Sequence, residues 1–170
     1  HKRRQVLVYL DTLRQSIFHD LFGSGSFKHM TAGELMPAMR NGLSPATNGG
    51  HKANVLTLSA VTQGRFDLSA VKVGFFAYEP PADKRVSASD FLICRGNGNK
   101  SLVGVGTYSP HGHADVVFPD TVIAGRVDPS KVTMAYLDAA WRQTSVRRQI
   151  ETVARALGMP REWSEGAAAI

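Results

Sequence analysis

The sequence predicts an α+β protein whose helices and strands are segregated along the chain. Three observations carry this. Residues 1–22 hold a helical apolar stripe, residues 55–124 hold short apolar runs bounded by turn residues, and residues 128–157 return to helical spacing. A run of strands flanked by helices suits α+β layers rather than alternating βαβ winding. At 170 residues the chain suits one domain plus an appendage, and it is long enough to bury a core without staples.

The first element is the clearest. Val6, Leu10, Leu13, Ile17 and Leu21 recur at spacings of three and four, with Leu7, Phe18 and Phe22 widening the stripe. Lys2, Arg3, Arg4, Asp11, Arg14 and Asp20 fill the other sides, and Gly23 suits a stop. A helix over residues 1–22 is about 33 Å long at 1.5 Å per residue. Its stripe fits packing on its own domain, or one strand of an antiparallel coiled coil with Leu10, Leu13, Ile17 and Leu21 at the interface. Next, Thr31-Ala32-Gly33-Glu34 matches a capping box for a short helix that Pro37 must end. Residues 40–50 form a turn-rich basic loop. Val55–Leu58 reads as a strand, Val61–Arg65 as a turn, and Lys72–Tyr78 as a further strand stopped by Pro80-Pro81. Residues 116–124 read as strands broken at Pro119-Asp120. Asp128-Pro129-Ser130 suits a helix start, with the helix running through Trp141. Thr144 or Ser145 then caps a helix whose stripe is Val146, Ile150, Val153, Ala154 and Leu157, ended by Gly158. Residues 159–170 read as a tail. The chain starts at His1 without Met and ends abruptly, so it reads as part of something longer.

The other elements are arranged around Phe91–Tyr108. Phe91-Leu92-Ile93-Cys94 is a continuous apolar run suited to a buried strand. Arg95-Gly96-Asn97-Gly98-Asn99-Lys100-Ser101 interrupts it, with two glycines expected to supply positive φ. Leu102–Tyr108 then reads as a returning strand. Such a loop is either an exposed hairpin tip or a site where backbone N–H groups, Arg95 and Lys100 approach an anion. It lacks both the dinucleotide fingerprint and the order of a Walker A loop.

Hydrophobic content of 43% and charged content of 20% are ordinary for a globular protein, and the net charge of +6 favours polyanionic partners. The single cysteine, Cys94, excludes an internal disulfide and suits a reducing, cytoplasmic setting, with a structural thiol expected. No apolar run approaches the roughly 18 residues of a spanning helix, and no signal-peptide pattern is present, so no membrane partner is expected. His111 and His113 have no Cys or carboxylate cluster nearby to complete a metal site. Asp90, Asp115 and Asp120 read as caps and turns. No methyltransferase Asn/Asp-Pro-Pro-Tyr motif and no nuclease-like Asp…Glu-x-Lys cluster occurs, so no catalytic residue is assigned.

Certain segments carry a resemblance through their order. These are Leu10–Gly23, Gly33-Glu34-Leu35 followed by Arg40-Asn41-Gly42, the strand and loop Ser89–Asn97, Phe118-Pro119-Asp120, and the helices around Tyr136 and Arg148-Gln149-Ile150. Together they resemble the specificity subunit of type I restriction–modification systems, as one target-recognition domain preceded by a spacer helix. Ser89 stands where that family commonly has Gly. The resemblance implies a spacer (coiled-coil) helix over 1–23, a DNA target-recognition domain over 24–158 and a tail over 159–170. It further implies recognition of one half of a split double-stranded DNA target. A second recognition domain or a second copy of the chain would complete the target. Modification (methyltransferase) subunits would bind S-adenosylmethionine, and a restriction (motor–nuclease) subunit would cut, leaving this chain without a cofactor of its own. Related recognition domains also occur in fused restriction–methylation enzymes.

Arg and Lys suit guanine or phosphate, and Asn and Gln suit adenine. The candidate DNA-binding residues are therefore Arg40, Asn41, Ser44, Thr62, Gln63, Arg65, Arg95, Asn97, Asn99, Lys100 and Tyr108. Two other readings compete with DNA recognition: a helix-mediated assembly module without specific DNA binding, and a nucleotide-binding enzyme that uses the glycine loop.

Overall fold

The computed structural model describes residues 2–23, 25, 28–96 and 100–156. The apolar repeat at the start folds as α1 (Lys2–Phe22), closed by the Gly23 N–H donating to the His19 carbonyl at 2.6 Å. A Cβ at Gly23 would sit 2.3 Å from the His19 ring, which explains the small residue there. The single turn α2 (Ala32–Leu35) forms from the capping box that the sequence spells. The Glu34 N–H donates to Thr31 Oγ1 at 3.2 Å, and the Thr31 N–H returns to Glu34 Oε2 at 2.7 Å. The Thr31 N–H, first, and the Thr31 hydroxyl, at 2.9 Å from Oε2, both donate to the Glu34 carboxylate and hold it below the ordinary carboxylate range.

The remaining elements in chain order are β1 (Ala38–Asn41), β2 (His51–Leu56), α3 (Ser59–Thr62), β3 (Val71–Phe76), β4 (Arg85–Val86), β5 (Asp90–Cys94), β6 (Gly106–Tyr108), β7 (His113–Val117), β8 (Val122–Arg126), α4 (Met134–Trp141) and α5 (Thr144–Ala156). The strands form two sheets, ordered β1-β8-β5-β6 and β3-β2-β7-β4. All neighbours are antiparallel except β2 and β7. The architecture is thus a mixed α+β arrangement in layers.

The central strand explains the layering. Every residue of β5 is buried because both of its faces are covered. Phe91 and Ile93, with Ile123 of β8, pack under Leu137, Trp141 and Ile150 of the C-terminal helices, alongside Met36. Leu92, with Val122 and Ala124 of β8, faces the other way. These residues pack against Leu56, Val86 and Val116 of the second sheet, with Phe118 between. Fully burying each large aliphatic or aromatic side chain contributes about 1.5–3 kcal/mol, so the period-2 alternation on β5 fastens three layers at once.

Several expected boundaries differ. Leu102–Tyr108 is not one strand: Lys100–Leu102 is a 3-10 turn and pairing begins only at Gly106. The cause is Gly104, whose φ of +74° breaks the extended path. Its carbonyl accepts the Trp141 indole N–H at 2.8 Å, so this segment is a docking knot for the helices. Gly96, expected at positive φ, does not adopt it; among the described residues only Gly64 and Gly104 do. Gly98, Leu157, Gly158 and the tail expected over 159–170 lie outside the described residues.

The strand expected over Val55–Leu58 instead begins at His51 and ends at Leu56. The Thr57 hydroxyl meets Ser59 and the Ala70 carbonyl, and the chain turns into α3. The strand expected over Lys72–Tyr78 stops at Phe76, and His113, expected in a loop, opens β7. The helix expected from Asp128 starts at Met134. The Asp128 carboxylate is taken by the Ser130 N–H and hydroxyl, forming a local turn, and Thr133 is the true N-cap.

Gly104→Ala is expected to destabilise the fold by about 2–4 kcal/mol, from the left-handed backbone plus overpacking. Its Cβ would lie 2.3 Å from Ile150 Cγ2. Gly50→Ala, with open space around it, should move stability by less than about 0.5 kcal/mol. Urea unfolding of both variants checks this.

Candidate nucleic-acid interface

Strand direction decides which loops meet. β1 and β5 both run antiparallel to β8, so their C-terminal ends flank its start. The Gly42 N–H donates to the Val122 carbonyl at 3.1 Å and the Arg95 N–H to the Thr121 carbonyl at 2.8 Å. Asn41 through Ser44 and Arg95-Gly96 therefore share one end of the first sheet. Ser44 is exposed, while Asn41 and Arg95 are half-buried. The Asn41 carbonyl accepts from Lys84 Nζ at 2.9 Å. Asn97 and Asn99 lie outside the described residues, as does the side chain of Lys100.

Thr62, Gln63 and Arg65 are placed elsewhere. Thr62 ends α3, which packs beside β5 and β6, and Gln63 and Arg65 follow it. The turn at Gly64, φ +83°, lies near Arg142, whose Nη2 donates to Thr107 Oγ1 at the middle of β6. Gln63 and Arg65 are exposed, and the Thr62 hydroxyl donates back to the Leu58 carbonyl. Tyr108 is half-buried and packs against the helical side of the core.

The guanidinium of Arg40 turns inward. Its Nη2 lies 2.5 Å from Asp90 Oδ2, and its Nη1 donates to the Asp83 carbonyl at 3.1 Å. From the other side Arg126 Nε donates to Asp90 Oδ1 at 2.6 Å. Asp90 is 0% exposed. It is the cross-strand partner of Arg126, and it shares the inter-sheet face with Leu92. A carboxylate on that face is tolerated only with close counter-charges, and removing one partner of such a buried pair typically costs about 3–5 kcal/mol. The Arg40 contact is an ion pair by distance without hydrogen-bond alignment, whereas the Arg126 contact is a directed bond. Lys84, which also approaches Asp83, ties the Ala82–Lys84 turn to β1.

Neither Asp90 nor Arg126 stands among the residues that sequence chemistry selects. The available signal was an acidic residue on the inward alternation of a fully apolar strand. Arg147 was equally hidden. From α5 it donates to the Val103 and Ser101 carbonyls at 2.6 and 2.7 Å, with its Nε on Glu151 at 2.9 Å. With Trp141 it fixes the returning arm of the glycine loop.

α1 meets the C-terminal helices along one side. Phe18, Phe22 and Tyr136 form an aromatic trio with centroids 5.0–5.7 Å apart, and the Thr144 hydroxyl donates to Gln15 Oε1 at 2.5 Å. Leu10, Leu13, Ile17 and Leu21 lie on the uncovered side, 49–65% exposed. A cavity of about 610 Å³ opens between the end of α1 and α4–α5, lined by Phe18, Phe22, Tyr136, Trp141, Lys28 and Lys131 among others. The residues lining it do not include the glycine loop.

Among the described residues no group of three or more His, Cys, Asp or Glu side chains could hold a metal ion. His113 instead stacks on Phe66 and pairs with Ser109 Oγ at 3.1 Å. Also among the described residues, no helix is long and apolar enough to cross a membrane. Comparison with protein-family models finds no match, and comparison with curated protein sequences finds none either.

Cys94 is buried on the inter-sheet side, and burial pushes its thiol up to about 11. The protonated thiol is a poor nucleophile. Native protein at pH 8 should therefore resist iodoacetamide, with labelling appearing only on unfolding in urea; mass spectrometry of the alkylated chain checks this.

Proposed function

We propose that this chain recognises double-stranded DNA in a sequence-specific manner as the specificity subunit of a type I restriction–modification system, in the cytoplasm. On this reading it directs partner methyltransferase and restriction subunits to a bipartite target. It is not itself an enzyme: methyl transfer from S-adenosylmethionine and strand cleavage belong to those partners. The β-rich body reads one half-site, and α1 serves as the spacer that sets its distance from the second.

The observation that carries the reading is the pairing of two features in one chain. An uncovered apolar stripe runs along α1, and polar, cation-bearing loops gather at one end of the first sheet in a protein of net charge +6. A stripe of that kind suits a second helix, and such loops suit phosphates and base edges. The exposed stripe equally favours a second reading, a helix-mediated assembly module without specific DNA binding. A recognition domain of a related restriction–methylation system would use the same surfaces. The nucleotide-binding reading is less favoured, because the returning arm of the glycine loop is tied down by Arg147 and Trp141.

Each phosphate neutralised adds about 0.9 to the slope of log K against log salt. Arg95→Ala combined with Lys100→Ala should therefore weaken duplex binding and lower that slope by about one to two units. Anisotropy titrations across a salt series measure it. An unchanged slope removes this loop from the interface, and no duplex binding by the parent chain favours the assembly module.

A further inference from the structure

The charged knot around Asp90 contains one side chain that is both anchored and outward-facing. Arg40 is 18% exposed and engaged at both Nη atoms, whereas Arg126 is 46% exposed and engaged at Nε alone among the described residues. Its terminal Nη pair therefore reaches solvent while its root is held against a buried carboxylate. Its flanking residues are small: Ala38 is its cross-strand partner on β1, and Ser89 precedes Asp90. The local charge is unbalanced, since one carboxylate lies between two guanidinium groups and the nearby Asp83 is approached by Lys84 at 3.6 Å.

A flexible surface arginine loses side-chain entropy when it grips an anion. One already fixed through Nε has lost much of that freedom on folding, and its planar end presents two donors to phosphate oxygens. A strand-borne side chain reaches less far than one on a protruding loop, which suits the DNA backbone more than a base edge.

We propose that Arg126 is a DNA backbone phosphate contact and that the buried Asp90 is its positioning residue. This rests on the duplex-binding reading. Arg126 supplies the contact, and Asp90 acts through Arg126 by fixing the plane and direction of the guanidinium.

The test uses the full chain, a labelled short random-sequence duplex and a KCl series, with urea unfolding run in parallel on each variant. Arg126→Ala should lower the magnitude of the salt slope by about one unit and weaken binding several-fold, whatever the DNA sequence. Asp90→Asn should weaken binding in the parent background and add nothing in the Arg126→Ala background. Arg126→Lys keeps the charge but cannot hold Asp90 and present a fork together, so it should keep most of the slope and lose affinity. An Arg126→Ala slope equal to that of the parent overturns the contact. An Asp90→Asn penalty that persists undiminished without Arg126 overturns the positioning role. Should Asp90→Asn fail to fold, Arg126→Lys decides that role, and parental affinity in it counts against the proposal. A parent chain with no salt-dependent duplex binding overturns the functional reading itself and the contact with it, an outcome distinct from a variant-specific failure.

Discussion

A single buried carboxylate constrains how this protein is put together. Asp90 begins the strand that every layer packs on, and its inward direction leaves it no water. Its two counter-charges come from different strands, Arg40 on β1 and Arg126 on β8. Three of the four strands in the first sheet are thereby fixed at their charged end, and Arg40 carries the link onward to the Ala82–Lys84 turn beside the second sheet. Hydrophobic burial drives the layers together without setting direction. The charge cluster adds a geometric requirement, because only the observed register brings both guanidinium groups to one carboxylate.

The opposite end of that sheet is built by different means. There the ends of β1 and β5 are held by backbone bonds to Val122 and Thr121, and β5 runs on into Arg95-Gly96. Trp141 and Arg147 reach from the C-terminal helices to its returning arm. The helices thus serve two purposes, covering Phe91 and Ile93 and restraining the loop that follows the same strand. α1 joins this side through Phe18 and Phe22 against Tyr136, so the helix that carries the uncovered stripe packs on the helices that restrain the loop. The uncovered stripe and the loop end are thereby joined by contiguous packing.

Much of this was legible in the residues because some signals are local. The capping box at Thr31 and Glu34, the continuous apolar run Phe91–Cys94 and the stripe from Val146 to Val153 each specify their own structure within a few positions. The failures share one cause: the deciding contact lies far along the chain. Leu102–Tyr108 reads as a strand until Ile150 and Trp141 are known to sit over Gly104. Asp128 reads as a helix cap until its carboxylate is seen to close on Ser130. Of the candidate site residues, the strand ends brought Asn41, Ser44 and Arg95 together, because β1 and β5 share a neighbour. They left Gln63 and Arg65 beside β6, since sheet order is not written in loop composition. Arg40 looked like an exposed reader because its partner, fifty positions away, gave no sign of needing it.

The proposed function requires a β platform that addresses a duplex while a helix sets its spacing. Methylome sequencing of cells with and without the gene for this chain measures that most directly. The account predicts that adenine methylation disappears at one motif made of two short specific parts separated by a fixed gap, and nowhere else. Methylation that is identical in the two strains at every such split motif would contradict it.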